Sequence, residues 1–261
     1  MKVRVYSDLH LEFGPMDPGE GDVLVLAGDI CTACSFTFRG EEDLKERYLD
    51  FFQKAVDGYN KVFYVLGNHE HYNYFFNETV DTLREHLPEG VTILDNQSEF
   101  YNGWHFVGAT MWASYQDGNE DIMNRCSRRM NDFNYIYTNR DCVKLTPKDT
   151  LAEHKNTLEW FNQCLPTLNG NVIVITHHAP SYQSIEEEYK DFPTVDAYAS
   201  DVEDIMEQND NVRIWLHGHI HASQSYKIED CHVVCNPRGY KSEEENDAFN
   251  PSLQLNLEKY V

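Results

Sequence analysis

The chain has 261 residues, 41% hydrophobic and 13% aromatic, which suffices for the core of one domain, at most two, and excludes a disordered chain. Its 44 acidic and 21 basic side chains leave a formal net charge of −23, a surface that repels polyanions and lacks the basic groove of a nucleic-acid binder. No apolar run is long enough to span a bilayer, and Met1 leads into a strand-like Val3-Arg4-Val5-Tyr6 rather than a leader, so a cytoplasmic protein with no membrane role is expected.

Val3 to Tyr6 predicts a strand and ends in Ser7-Asp8-Leu9-His10. After a loop from Gly14-Pro15 to Gly21, Asp22 to Ala27 is a near-continuous apolar run, as in a strand covered on both faces, and ends in Gly28-Asp29. Leu44, Tyr48, Phe51, Phe52 and Ala55 share one face of a helix that starts after Gly40 and ends near Gly58. Val62 to Leu66 predicts the next strand, ending in Gly67-Asn68-His69-Glu70. A short helix around Thr79 to His86, a strand at Val91 to Leu94, and a hairpin turned by Asn102-Gly103 follow.

From Ala113 to Leu145 no period persists, which in a compact chain predicts a functional loop or small cap bordering the ligand, with Phe133, Tyr135 and Tyr137 as aromatic faces. Thr146-Pro147-Lys148-Asp149 then opens a helix with Pro147 at its first position. Val172 to Ile175 is a fully apolar strand that ends in Thr176-His177-His178. An acidic loop through Glu186-Glu187-Glu188 leads to a helix near Asp201 to Glu207. Val212 to Leu216 predicts a buried strand running into His217-Gly218-His219-Ile220-His221. A hairpin (Ser225 to Glu229, His232 to Val234) and a strand at Leu253 to Leu257 close the chain. No repeat or linker divides residues 1–261, so they read as one domain. The seven cysteines, an odd number, do not read as a disulfide framework.

One rule recurs at the strand ends: Asp8-x-His10, Gly28-Asp29, Gly67-Asn68-His69, His177 and His219-x-His221. In open α/β sheets ligands collect beyond the carboxyl ends of the strands, and side chains two residues apart on an extended segment share a face. Five strand ends therefore bring carboxylates, an amide and imidazoles to one edge, a donor set of mixed oxygen and nitrogen that suits manganese, iron or zinc.

At these residues the chain resembles the calcineurin-like metallophosphoesterase superfamily, whose pattern is D-x-H, GD, GNH-E/D, a lone H, then G-H-x-H in this order. The resemblance implies an αββα sandwich, two mixed sheets flanked by helices, with a two-metal site. On that analogy Asp8, His10 and His221 hold one ion, Asn68, His177 and His219 hold the other, Asp29 bridges them, and His69 is the catalytic residue beside the leaving group. The implied activity is hydrolysis of a small or nucleotide-like phosphodiester or phosphomonoester by a metal-bridged hydroxide. A nuclease of the same superfamily and a catalytically weak scaffold with this fold are the alternatives. The family often continues GD-x-x-D-R, and the second Asp orients the motif histidine. Here Thr32 stands in its place, so another group must orient His69. His178, next to a ligand position, and Arg238, just past a strand in Asn236-Pro237-Arg238, are candidate substrate contacts. His71 either touches substrate or lies in a solvated loop, and His217 reads as support for its neighbours rather than as a ligand.

Overall fold

The structure is a computed structural model that describes residues 1–261. Its strands in chain order are β1 (Lys2–Tyr6), β2 (Gly21–Ala27), β3 (Tyr59–Val65), β4 (Val91–Ile93), β5 (Gln97–Tyr101), β6 (Trp104–Ala109), β7 (Asn171–Thr176), β8 (Val212–His217), β9 (Gln224–Ile228), β10 (Cys231–Cys235), β11 (Gly239–Tyr240), β12 (Glu244–Glu245) and β13 (Gln254–Asn256). One sheet has the order β13-β1-β2-β3-β4 and the other β5-β6-β7-β8-β10-β9. The central pairs of both sheets are parallel, while β13 on β1 and the hairpins β5–β6 and β9–β10 are antiparallel, so both sheets are mixed.

The apolar runs of β2 and β7 follow from burial on two faces. Val23 and Val25 of β2 point into the space between the sheets, where they meet Ile173, Ile175, Ile214 and Leu216, and Phe63 stacks on Phe106 with ring centroids 4.2 Å apart. Leu24 and Leu26 point the other way, onto Phe51, Phe52 and Ala55 of α2 (Glu42–Gly58), which follows the short α1 (Cys34–Thr37). Val172, Val174 and Trp215 form the outer face of the second sheet. The alternation of a strand places successive residues in different cores, and an apolar side chain is needed in both.

Four further helices lie between β3 and β7 ahead of the long one: α3 (Thr79–His86), α4 (Tyr115–Gly118), α5 (Glu120–Arg129) and α6 (Asp132–Tyr135). The segment 113–145 is thus more ordered than its sequence suggests. Tyr115, Ile122, Met123, Cys126, Met130 and Phe133 build a small core of their own, and the Asn119 carboxamide caps α5 by accepting from the N–H groups of Asp121 and Ile122.

The outer face of the second sheet is covered by α7 (Pro147–Cys164) and α8 (Glu203–Gln208), which contribute Phe161, Ile205 and Met206. Pro147 starts α7, and the Asp149 carboxylate accepts from the backbone N–H and the hydroxyl of Thr146 at 2.8 and 2.6 Å. The cysteines are free, and no helix is long and apolar enough to cross a membrane.

Candidate metal centre and its cleft

The parallel strands of both sheets end at a common edge. Past β1, the Asp8 N–H donates to Gly28 O at 2.9 Å, and past β7, the His177 ring reaches Ala27 O of the other sheet, with Nδ1 2.9 Å away. The backbone turns sharply at each of these ends: Asp8, His10, Asp29, His219 and His221 all have left-handed φ values, between 42° and 71°. Non-glycine residues in this region store strain, and such strain clusters at functional sites. Two glycines permit the close approach. A Cβ on Gly67 would lie 2.1 Å from Asp29 Oδ1, and one on Gly218 would lie 2.7 Å from Asp8 Oδ2.

Five of the seven ligand candidates are fixed from behind. Asp8 accepts from the His219 N–H at 2.9 Å, and Asp29 Oδ1 accepts from the His69 N–H at 2.9 Å, which leaves Asp29 Oδ2 3.4 Å from His177 Nε2 and 3.8 Å from His10 Nε2. The Nδ1–H of His10 donates to Glu12 Oε1 at 3.2 Å and that of His177 to Ala27 O, so each presents an Nε2 lone pair to the centre. Asn68 Nδ2 donates to Asp132 Oδ1 at 2.8 Å, which turns Asn68 Oδ1 toward His177 Nε2, 3.0 Å away. Asp8, His10 and His221 form one group of donors close enough to share an ion, and Asp29, His177 and His219 form another.

Two observations show that this donor set fits a cation. His10 Nε2 and His221 Nε2 are 3.1 Å apart, and with the His10 proton on Nδ1 the two nitrogens aim at one point. His219 Nε2 is buried with no hydrogen-bond partner. A buried polar nitrogen in a native site has a partner, and an ion at this cluster would supply one. Burial drives the His219 pKa well down, and His177 and His178 push it the same way, so the ring is a neutral donor.

His69 lines the cleft but is held differently. Its Nδ1 is 3.3 Å from Glu12 Oε1, its Nε2 is 3.2 Å from the Tyr240 hydroxyl, and its ring stacks on Tyr72 at 4.1 Å. It belongs to a third group of close donors, with His10 and Asp29, yet both its ring nitrogens already have partners. Burial lowers its pKa, but Asp29 and Glu12 outweigh this and raise it to about 9. Glu12 is therefore the group that faces His69 where the family pattern has an Asp. Thr32 is turned away, toward Ser35 and Tyr48, with its hydroxyl 2.9 Å from Ser35 Oγ and 3.3 Å from the Tyr48 hydroxyl. Burial alone would raise the Glu12 pKa, and the hydrogen bonds to His10 and His69 bring it down to about 2.

Two expected substrate contacts lie elsewhere. The Arg238 guanidinium is buried and donates to the carbonyls of His10 and Gly14 at 3.2 and 3.3 Å, so it braces the β1 loop and does not line the cleft. His178 is buried beneath the site, its ring 4.3 Å from that of His219 and 5.2 Å from Trp112, and burial depresses its pKa to about 3. His71 is likewise buried, with Nδ1 2.9 Å from Thr79 Oγ1. His217 supports the loop opposite, its Nε2 accepting from Ser184 Oγ at 2.9 Å.

Besides Glu12, two further carboxylates were not singled out from the sequence. Glu70 is fully buried and accepts from the N–H groups of Asp29, Ile30 and Gly67 at 3.0, 2.6 and 2.7 Å, which ties the turn after β2 to the turn after β3. Its place in Gly67-Asn68-His69-Glu70 was the available signal. Asp132, which holds Asn68, had no local signal at all.

A cleft of about 320 Å³ opens over Asp29, Asn68, His69, His219 and His221. Arg129, Met130 and Asn131, from the segment 113–145, line it. The aromatic residues expected there do not: Phe133 is in the small core, Tyr135 lies against Tyr72, and Tyr137 carries the Lys144 ammonium over its ring. The aromatic wall comes instead from residues 185–198.

The comparisons agree with this geometry. The uncharacterised protein L509 of Acanthamoeba polyphaga mimivirus is 26% identical over 291 aligned positions, which take in 99% of this chain and 98% of that protein. Among solved structures, the phosphopantetheinyl hydrolase PptH of Mycobacterium tuberculosis superposes with a TM-score of 0.64 at 15% identity, covering 92% of this chain and 89% of its own, a likeness of fold. The family model for calcineurin-like phosphoesterases matches residues 1–223, from β1 through every strand end that bears a ligand candidate, and the chain belongs to that family.

Proposed function

We propose that the chain is a two-metal phosphoester hydrolase acting on a small or nucleotide-like phosphodiester or phosphomonoester. Asp8, His10 and His221 would hold one ion, Asn68, His177 and His219 the other, and Asp29 both, with manganese, iron or zinc as the metals. The carrying observation is the pair of facing imidazole nitrogens, His10 and His221, together with the buried, partnerless His219 Nε2. When bound, two such ions supply a water of lowered pKa and positive charge for the phosphoryl oxygens.

The chain's own residues do the rest. Glu12 holds the His69 ring by Nδ1, so that Nε2 faces the cleft beside the Tyr240 hydroxyl and gives its proton to the departing oxygen. General acid help of this kind is worth about 10²–10⁴-fold. Residues 113–145 act as a cap over one domain that spans 1–261, and the location is cytoplasmic. A nuclease is disfavoured by the net charge of −23, and a scaffold role by the full set of donors and His69.

The test compares bis-p-nitrophenyl phosphate with p-nitrophenyl phosphate for the metal-loaded and the chelated protein, alongside elemental analysis. About two ions per chain and activity lost on chelation and restored by manganese are expected. No tight site, or turnover indifferent to chelator, overturns the proposal.

A further inference from the structure

From the ligand candidates outward, the cleft changes character on one side. The Tyr198 ring stacks on His219, with centroids 4.8 Å apart and planes at 26°. Beyond it lie Ile185, Val195, Tyr189 and Phe192, all lining the same cleft. Tyr189 and Phe192 are 47% and 55% exposed, and their rings meet edge to face at 6.3 Å. Two large aromatic side chains left in solvent, continuous with a reactive site and not part of any core cluster, form a surface with no partner inside the chain.

The loop that carries these rings is held in place rather than loose. Ser184 Oγ lies 2.9 Å from His217 Nε2 and 2.7 Å from the Tyr226 hydroxyl, and the Tyr182 hydroxyl donates to Asp196 at 2.7 Å. The wall is therefore preformed.

Charge selects further. Arg129 is the one arginine or lysine that lines the cleft, whereas Glu186 and Glu244 line it; on the same loop Glu188 and Asp191 add negative charge, while Glu187 is paired with Lys190 at 2.6 Å. One cation is a poor site for a chain of phosphates, and the acidic rim repels any further anion.

We propose that the substrate is a phosphoester with a single phosphate group and an uncharged aryl or other flat apolar arm, which lies along Tyr198, Ile185, Tyr189 and Phe192 while the phosphate sits at the ligand cluster. This rests on the phosphoesterase reading and adds the identity of the arm. It excludes polyphosphorylated arms, such as those of nucleoside di- and triphosphates.

Phosphonates test it by binding alone, because they carry an arm and a phosphoryl group but no leaving group. Methylphosphonate, phenylphosphonate and 4-carboxyphenylphosphonate are titrated by calorimetry into the manganese-loaded protein. Phenylphosphonate is expected to bind about tenfold tighter than methylphosphonate, as burial of one ring implies, and the carboxyl-bearing arm about threefold weaker than phenyl. In a Tyr189→Ala, Phe192→Ala double variant the preference for phenyl falls to about twofold or less, the loss coming on phenylphosphonate. Phe100→Ala, an exposed aromatic on β5 outside the cleft, serves as control and keeps the wild-type preference. Equal affinity for the methyl and phenyl compounds, a preference that survives the double variant, or tighter binding of the carboxyl-bearing arm overturns the proposal and leaves the phosphoesterase reading intact. Failure of all three phosphonates and of inorganic phosphate to bind overturns both.

Discussion

Glu12 Oε1 lies within 3.3 Å of two imidazole nitrogens at once, His10 Nδ1 and His69 Nδ1. A carboxylate so placed settles the tautomer of both rings, exposing the His10 lone pair to the ligand cluster and keeping His69 Nε2 in the cleft. It is a positioning residue, since it acts through the rings of His10 and His69 and does not itself line the cleft. Glu12→Ala is expected to lower kcat about 10–100-fold, the range for lost supporting hydrogen bonds, and most for esters with poor leaving groups. His69→Asn should give the same leaving-group pattern with near wild-type metal content, and the double variant should be no slower than His69→Asn alone. Independent, multiplying losses would show that Glu12 acts through His10 instead. Arg238 illustrates the opposite outcome. It has the right chemistry for a phosphate, but its guanidinium is buried with Nη2 on the carbonyls of His10 and Gly14, contacts 228 and 224 residues away in sequence that no local pattern announces.

The segment α4–α6 links a local helix signal to a distant ligand. Asn119 before Glu120-Asp121, and Arg128-Arg129 at the other end, are cap and dipole signals, and Ile122, Met123, Cys126 and Met130 fall on one face. These cap signals were passed over when 113–145 was read as irregular, because ten residues are too few to establish a period. What its sequence does not carry is the consequence: α6, which follows directly, begins with the buried Asp132 and brings it to the Asn68 amide at 2.8 Å and to the Tyr72 hydroxyl at 2.8 Å. Burial raises the Asp132 pKa, and the bonds from Tyr72 and Asn68 work against that rise. Asp132→Ala leaves the Asn68 amide only the longer contact to the Tyr72 hydroxyl, 3.3 Å away, and so loosens its orientation. It should weaken one of the two ions about 10–100-fold in a manganese titration while the other stays near wild type. Unchanged affinity for both would mean that the 113–145 segment does not support the site. Most strands of the two sheets, by contrast, were read within a residue or two, with β3 and β5 each starting three residues earlier than expected, because a strand buried on both faces needs an unbroken apolar run and the run itself is the signal.

At the scale of the molecule, buried histidines couple stability to pH. His154 sits on α7 beneath Trp112, its Nδ1 against the Trp112 carbonyl, and burial depresses its pKa to about 4, with Lys155 lowering it and Asp117 raising it. Its folded pKa lies below the unfolded value of about 6.5, so protons bind the unfolded chain in preference. The stability this neutral histidine allows is fully present above about pH 6.5 and is lost as pH falls toward 4. The free-energy difference between wild type and His154→Gln, measured by denaturant unfolding of the metal-loaded protein, should fall by about 1.4 kcal/mol per pH unit between pH 6 and pH 4.5. A difference independent of pH would show that His154 is not buried in its neutral form. His71, with its pKa lowered to about 3 by burial, acts in the same direction.

The order of motifs at strand ends, from Asp8-x-His10 to His219-x-His221, determined the ligand candidates, because a parallel sheet carries its strand ends to one edge and a metal demands particular donor types, and through its resemblance to the calcineurin-like phosphoesterases it implied the sandwich fold. The strands and the two long helices were determined likewise, by periodicity and caps. Tertiary structure alone decided the rest: Glu12 in place of Thr32, Asp132 behind Asn68, the burial of His178 and Arg238, and a wall built from residues 185–198 rather than from Phe133, Tyr135 and Tyr137. Each of those depends on which groups from remote parts of the chain come within hydrogen-bonding or van der Waals distance. That distance is a property of packing, and no window of sequence contains it.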